Sequence, residues 1–342
     1  MSARFSSGNE SVGHLEGIDP HLTPAFLRLD DEGAELLIPA VGDFGTLFRK
    51  NEVAESTSAP TSLRFRDTRG EVVLGGCRDL GTTVSTIGTG STRIRADRVV
   101  RAGEVETDYG YVDGMSTEID GLATWSGMTT IKTIIEKDPL AVVIRAQNRE
   151  AIDLGGRPAV TIKSSFTHNP MPKTSEHSIT DTATLRTRSD ALIDWKEHAA
   201  VHHMYQDLMC LVYGQPCIAR IAAVKREDDQ PFVKPGDSRR TWREVYEPTF
   251  GRTLRQSEPF DRIKSRPLFR YADTDPAQLT SWTTEWNLWS RPTWIAVTTM
   301  FQSGTTIEAR LLQMGVALEA LGYAIWKLGG GSGQTGSSRT RV

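Results

Sequence analysis

The stretch Glu197-His198-Ala199-Ala200-Val201-His202-His203 holds the densest set of side chains able to do chemistry. His198 and His202 are four apart, so on a helix they stack on one face and could chelate a metal. The order EHxxxH places no glutamate between the two histidines, where a zincin keeps its base, and no downstream acid-rich helix offers a third ligand. These histidines are therefore read as packing beside Trp195 and Tyr205, and a metal-dependent hydrolase using His198 and His202 is the alternative. Cys210 and Cys217, too far apart for a CxxC site, are read as small buried apolar residues in a helix and the following strand. Neither GxSxG nor GxxxxGK[ST] occurs. Gly331-Ser332-Gly333-Gln334-Thr335-Gly336 matches GxGxxG, but that loop needs a strand before it and a helix after it so that the pyrophosphate meets a helix amino terminus. Here a helix precedes it, so the match is accidental, and no cofactor is expected.

Arg239, Arg240, Arg243, Arg262, Lys264, Arg266 and Arg270 form a basic stretch, diluted by Glu244, Glu247, Glu258 and Asp261. An RNA-binding accessory protein using it is a second alternative. Trp282, Trp286 and Trp289 are spaced i, i+4, i+7 among Thr, Glu, Asn and Leu, the pattern of a core stripe rather than of a base-stacking platform with interleaved cations. Lys+Arg of 40 against Asp+Glu of 43 leaves a net charge of −3, which excludes a generally polybasic nucleic-acid coat and gives no electrostatic pull towards an anionic membrane. No apolar run reaches the ~18 residues that span a bilayer, and the Ser/Gly-rich amino terminus lacks the apolar core of a secretion signal. Three cysteines are too few for a disulfide framework. A reduced, cytoplasmic protein is expected.

At 342 residues, 38% of them hydrophobic, the chain can build a real core in about two domains at ~150 residues each. Residues 1–20 are read as flexible. Residues 25–29 and 34–38, separated by Asp30-Asp31-Glu32-Gly33, form a hairpin pattern. Short Val-, Ile- and Thr-rich runs follow at 63–66, 71–74, 82–87, 92–100, 129–135, 140–145 and 158–166, without the alternating helices of a parallel sheet. Residues 191–213 fit a helix stopped by Gly214, 218–224 and 241–246 return to strand, and Asp275-Pro276 opens helices that run towards the carboxyl end. The fold class is thus α+β: a mainly antiparallel, sandwich-like amino-terminal half, a mixed middle and a helical end. The expected division is a flexible 1–20, a β-rich domain 21–188, a mixed region 189–328 and a Gly/Ser-rich tail 329–342.

The last helix is the clearest local signal. Ile307, Leu311, Met314, Leu318, Leu321, Ile325 and Leu328 alternate spacings of four and three, a heptad seam. Leu312, Val316, Tyr323 and Trp326 make the other faces apolar too, and a helix apolar nearly all round wants to be buried among helices. The Gly/Ser tail can cover nothing, so either the preceding Trp-rich helices and the β half bury this helix or its partners lie elsewhere; on the second reading Ile307, Leu311, Met314, Leu318, Leu321 and Ile325 are the candidate interaction residues, for self-association or a protein partner.

An ordered set of landmarks carries a resemblance: Pro24-Ala25-Phe26-Leu27 with residues 33–37, then 71–75, 94–101 and Ile119-Asp120-Gly121-Leu122-Ala123-Thr124-Trp125. Arg266-Pro267-Leu268-Phe269-Arg270 follows, then the Trp282 helix, residues 307–312 and Ala317-Leu318-Glu319-Ala320-Leu321-Gly322. Over residues 24–328 this order resembles the amino-terminal domain of ApeA-type HEPN proteins of bacterial abortive infection. The resemblance implies an amino-terminal sensor of the invader; the ribonuclease belongs to a carboxyl-terminal HEPN domain whose Arg, four to six residues, His pattern is missing here. None of His14, His21, His168, His177, His198, His202 and His203 lies in the terminal helical region, and no arginine precedes His198, His202 or His203 at that spacing, so no catalytic residue transfers. The expected function is a non-catalytic sensing or interaction module of an anti-phage system, naturally truncated or solitary, whose partner is a phage component, an effector such as a HEPN ribonuclease, or a second copy.

Overall fold

The computed structural model describes residues 5–16, 23–41, 61–84, 89–101, 108–137, 140–170, 177–229, 242–251, 260–261, 264–302 and 304–329. Their strands are β1 (Glu10–Glu16), β2 (Thr23–Asp30), β3 (Gly33–Val41), β4 (Ser62–Asp67), β5 (Gly70–Gly75), β6 (Arg78–Val84), β7 (Thr89–Ala96) and β8 (Arg98–Arg101). After these come β9 (Tyr111–Ile119), β10 (Ile131–Lys137), β11 (Leu140–Ala146), β12 (Ile152–Gly155), β13 (Ala159–Pro170), β14 (His177–Asp194), β15 (Ala219–Lys225) and β16 (Trp242–Tyr246). The α-helices are α1 (Leu122–Ser126), α2 (Trp195–Tyr213), α3 (Pro276–Thr284), α4 (Trp286–Phe301) and α5 (Ile307–Leu328). The expected antiparallel β half and helical end are both present.

Fourteen strands form one sheet in the order β12-β13-β14-β9-β15-β16-β8-β5-β4-β1-β2-β3-β7-β6, while β10 and β11 pair as a separate hairpin. The β2–β3 turn forms as its residues dictate. Asp30 Oδ1 accepts the Glu32 N–H at 2.9 Å, and Gly33 takes φ 135° where a Cβ would meet the Ala96 carbonyl oxygen at 2.5 Å. The run 92–100 splits at Asp97 into β7 and β8. One correction concerns the stretch read as flexible: Glu10–Glu16 is β1, paired to both β2 and β4. Its polar composition hid it: of Glu10–Leu15 only Leu15 is buried.

Two apolar clusters result. Strands β1–β5, β7 and β8 bury Leu15, Leu27, Leu36, Phe65, Leu74 and their neighbours against one another, and the sheet folds back until β3 touches β8. The second cluster lies under α2, where Met115, Ile162, Leu185, Tyr205, Met209 and Val224 meet. Helix α2 starts later than its periodicity suggests. β14 keeps pairing with β9 through Asp194↔Tyr111, across the expected boundary at 188, and Asp194 then caps the helix by accepting the Lys196 N–H at 2.7 Å. Gly214 ends it in the left-handed conformation, as expected. Asp275 caps α3 with Pro276 in the first turn. The tryptophan stripe is divided between two helices, Trp282 in α3 and Trp286 and Trp289 in α4, and Trp282 packs on the core with its indole N–H donated to the Met204 carbonyl at 3.1 Å. From the sheet outward the layers are α2, α4 and α5.

Candidate functional site

His198 and His202 lie on the buried face of α2, with no exposed surface, against β9 and β14. His198 Nε2 is 3.1 Å from the Val112 carbonyl oxygen, which can only accept, so that nitrogen carries the proton. Burial holds the His198 pKa below its usual value and the His202 pKa well below it, so both rings are neutral and each has one N–H. His198 Nδ1 must then accept from the Thr187 hydroxyl at 2.8 Å. With its one proton spent, the Thr187 oxygen accepts from His202 Nε2–H at 2.9 Å, and His202 Nδ1 accepts from the Thr117 hydroxyl at 2.7 Å. A single-sense chain of donors therefore runs Thr117, His202, Thr187, His198, Val112 and pins α2 to two strands.

Every ring nitrogen of His198 and His202 is spent on a hydroxyl or carbonyl, and a metal would have to displace those bonds. Among the described residues no group of three or more His, Cys, Asp or Glu could hold a metal ion. His203 points elsewhere, its Nε2 hydrogen-bonded to the Phe250 carbonyl at 2.6 Å. Thr117 and Thr187, half of the chain of bonds, were missed from sequence: as threonines at inward strand positions they look like β-formers, and no local spacing ties them to α2. Cys210 and Cys217 are buried as expected, with the Cys217 N–H donated to Cys210 Sγ at 3.3 Å.

Of the basic stretch, one member is withdrawn from the surface. Arg243 is turned inward on β16, where its Nε–H reaches Asp229 Oδ2 at 2.5 Å and the Tyr109 hydroxyl donates to the same oxygen. Lys264 is exposed beside Asp261 at 3.4 Å. Arg239, Arg240 and Arg262 lie outside the described residues, as does the 331–336 glycine string.

Just after β16, Glu247 has one carboxylate oxygen buried without a hydrogen-bond partner, and burial pushes its pKa up to about 7 against the pull of the Arg98 cation. An acid whose pKa rises from 4.5 to about 7 on folding binds its proton more tightly when folded. Its contribution is complete below pH 4.5 and is lost as pH rises through 7. Glu247→Gln is therefore expected to stabilise the protein by about 3 kcal/mol at pH 8 and by under about 1 kcal/mol at pH 5, read from thermal melts at the two pH values.

Helix α5 carries the candidate interaction residues. Thr306 caps it by accepting the Ala309 N–H at 3.2 Å, and its small side chains Ala317 and Ala324 are buried. It packs on α4, where the Thr299 hydroxyl meets Gln313 Oε1 at 3.0 Å. Met314 and Leu321 are half-buried. Ile307, Leu311, Leu318 and Ile325 stay 57–74% exposed, with Leu312, Val316, Tyr323 and Trp326 exposed beside them. The heptad seam is thus split lengthwise between half-covered and uncovered positions, along a helix about 33 Å long. Among the described residues no helix is long and apolar enough to cross a membrane.

A curled antiparallel sheet backed by one long helix, then by a helical pair with an uncovered apolar face, defines the architecture as a β-based module. The family described as ApeA N-terminal domain 1 matches residues 17–282, most of the chain, and the chain belongs to that family, a domain associated with anti-phage defence. The match ends within α3, so α4 and α5 lie beyond it. No curated protein and no solved structure matches the chain.

Proposed function

We propose that this chain is the non-catalytic recognition module of an abortive-infection system and works by docking a protein partner: a phage component, an effector such as a HEPN ribonuclease, or a second copy. The reading rests on the exposed apolar face of α5. Scattered exposed leucines need no explanation, but a contiguous apolar surface of several large side chains on one helix is the mark of an interface. Helix-in-groove recognition uses anchors at this spacing. The cytoplasm is the compartment that suits three free cysteines and an intracellular invader.

Light scattering on the full chain, alone and with co-expressed candidate partners, tests it. The expected result is a stable self-assembly or a defined complex that Leu311→Glu/Leu318→Glu abolishes. Both side chains project from α5 into solvent, so the double variant should keep its stability to within about 0.5 kcal/mol. A strict monomer that engages no partner, and whose protection of cells against phage is unchanged by the double variant, overturns the reading.

A further inference from the structure

The sheet has a second face, opposite α2, that the docking surface does not use. In the register of β13 and β14, Lys163 faces Thr184, Thr161 faces Arg186 and Ala159 faces Arg188, so Lys163, Arg186 and Arg188 project from the same side. Ile162, Leu185 and Thr187 occupy the other side, under α2. On β9 and β15 the row continues through Gly114 and Lys225 to Trp242 on β16. The Trp242 indole lies across this row. A Cβ on Gly114 would come within 3.1 Å of its ring, and the Arg186 and Arg188 guanidinium carbons sit 4.9 and 5.8 Å from its ring centroid.

Three cations on adjacent strands would ordinarily be interleaved with acids. Here Lys225 is engaged by Asp113 and Glu227, whereas none of Lys163, Arg186 and Arg188 has an ion-pair partner among the described residues. Arg186 Nε is buried and makes no hydrogen bond. Cationic neighbours and burial hold the Lys163 pKa below its usual value, and burial together with Arg188 does the same to Arg186. Beside Arg188 opens a cleft of about 470 Å³ lined by Lys225, Ser189 and the acids Asp113, Asp190, Glu227 and Asp228, so the uncompensated end of the cation row is the one at Lys163 and Arg186.

We propose that Lys163, Arg186 and Arg188 form an anion site for a phosphate group, carried by a nucleotide or by a nucleic-acid strand, with Trp242 holding the two guanidiniums in place. A single carboxylate would leave most of this charge uncompensated, whereas a phosphate accepts several charge-assisted hydrogen bonds and matches the planar arginine fork. The hydroxyl-bearing Thr161 in the same row adds a neutral donor without adding charge. The reading is independent of α5, because no residue of the site lies on a helix.

The test uses the full chain and three probes: inorganic phosphate, magnesium-free ATP and a short fluorescein-labelled oligouridine. Calorimetry reads the first two and fluorescence polarisation the third, for the wild type and for Lys163→Gln/Arg188→Gln. Saturable binding of at least one probe, weakened about tenfold or more in the double variant, is expected. The empty variant should melt no lower than the wild type, since removing like charges relieves repulsion. ATP bound without the oligomer identifies a nucleotide site. Oligomer binding with a log–log salt slope of about −2, falling below about −1 in magnitude in the variant, identifies a strand. If the double variant does not fold, Lys163→Gln alone, at an exposed position, is expected to weaken binding several-fold. Absence of binding by all three probes, or binding that the substitutions leave unchanged, overturns the proposal.

Discussion

Arg243→Met is expected to remove about 3–5 kcal/mol of folding stability, enough to unfold much of the population in mild denaturant. The reason is what it leaves behind. Asp229 is 5% exposed, its Oδ2 receives Arg243 Nε–H and the Tyr109 hydroxyl, and its Oδ1 already lacks a hydrogen-bond partner. Without the guanidinium the carboxylate is a buried, uncompensated charge. Removing both partners should cost far less, because an apolar pair of similar volume has no charge to desolvate. Arg243→Met/Asp229→Leu is therefore expected to regain more than half of the loss. Urea unfolding of the two variants at neutral pH decides the matter: equal losses in the single and double variants would show that the pair contributes packing rather than charge compensation.

His202→Ala should cost about 4 kcal/mol, through a cavity beneath α2 and two hydroxyls, Thr117 and Thr187, left without their ring partners. The same residue makes the wild type acid-sensitive, and the sign follows from the direction of the shifts. Unfolded, these histidines titrate near 6.5; folded, both are held lower by burial. Below pH 6.5 the unfolded chain binds the extra protons at these two positions, so their contribution to stability falls as pH falls, by about 1.4 kcal/mol per unit for each histidine until its folded pKa is reached. His202→Leu, which keeps most of the volume, should lose roughly half of that slope. Urea midpoints taken from pH 7.5 down to 5 measure it. Glu247 pulls the other way between pH 7 and 4.5, so the difference between the two proteins decides: a His202→Leu slope equal to that of the wild type would mean that the His202 ring is not held neutral by the fold.

Much of the local structure could be read from residues alone, and the exceptions share a cause. The β2–β3 hairpin, the Gly214 stop and the Asp275-Pro276 start depend on backbone preferences that act within a few residues. Residues 191–194 look helical by periodicity, yet they remain strand because pairing with β9 offers hydrogen bonds that a lone helical turn cannot match. β1 was invisible for the same reason in reverse: a polar segment becomes a strand when β2 and β4 flank it.

At the level of sites, the sequence by itself determined the family landmarks, the apolar character of α5 and the presence of two histidines one helical turn apart. Only the tertiary structure decided what those residues do. It buried His198 and His202 against threonines about 11 to 85 positions away, turned Arg243 inward onto Asp229, and gathered Lys163, Arg186 and Arg188 beside Trp242. The physical reason is range. Turn and cap preferences are written in neighbouring residues, whereas charge compensation and the loss of water around a polar group depend on which distant strand is brought alongside.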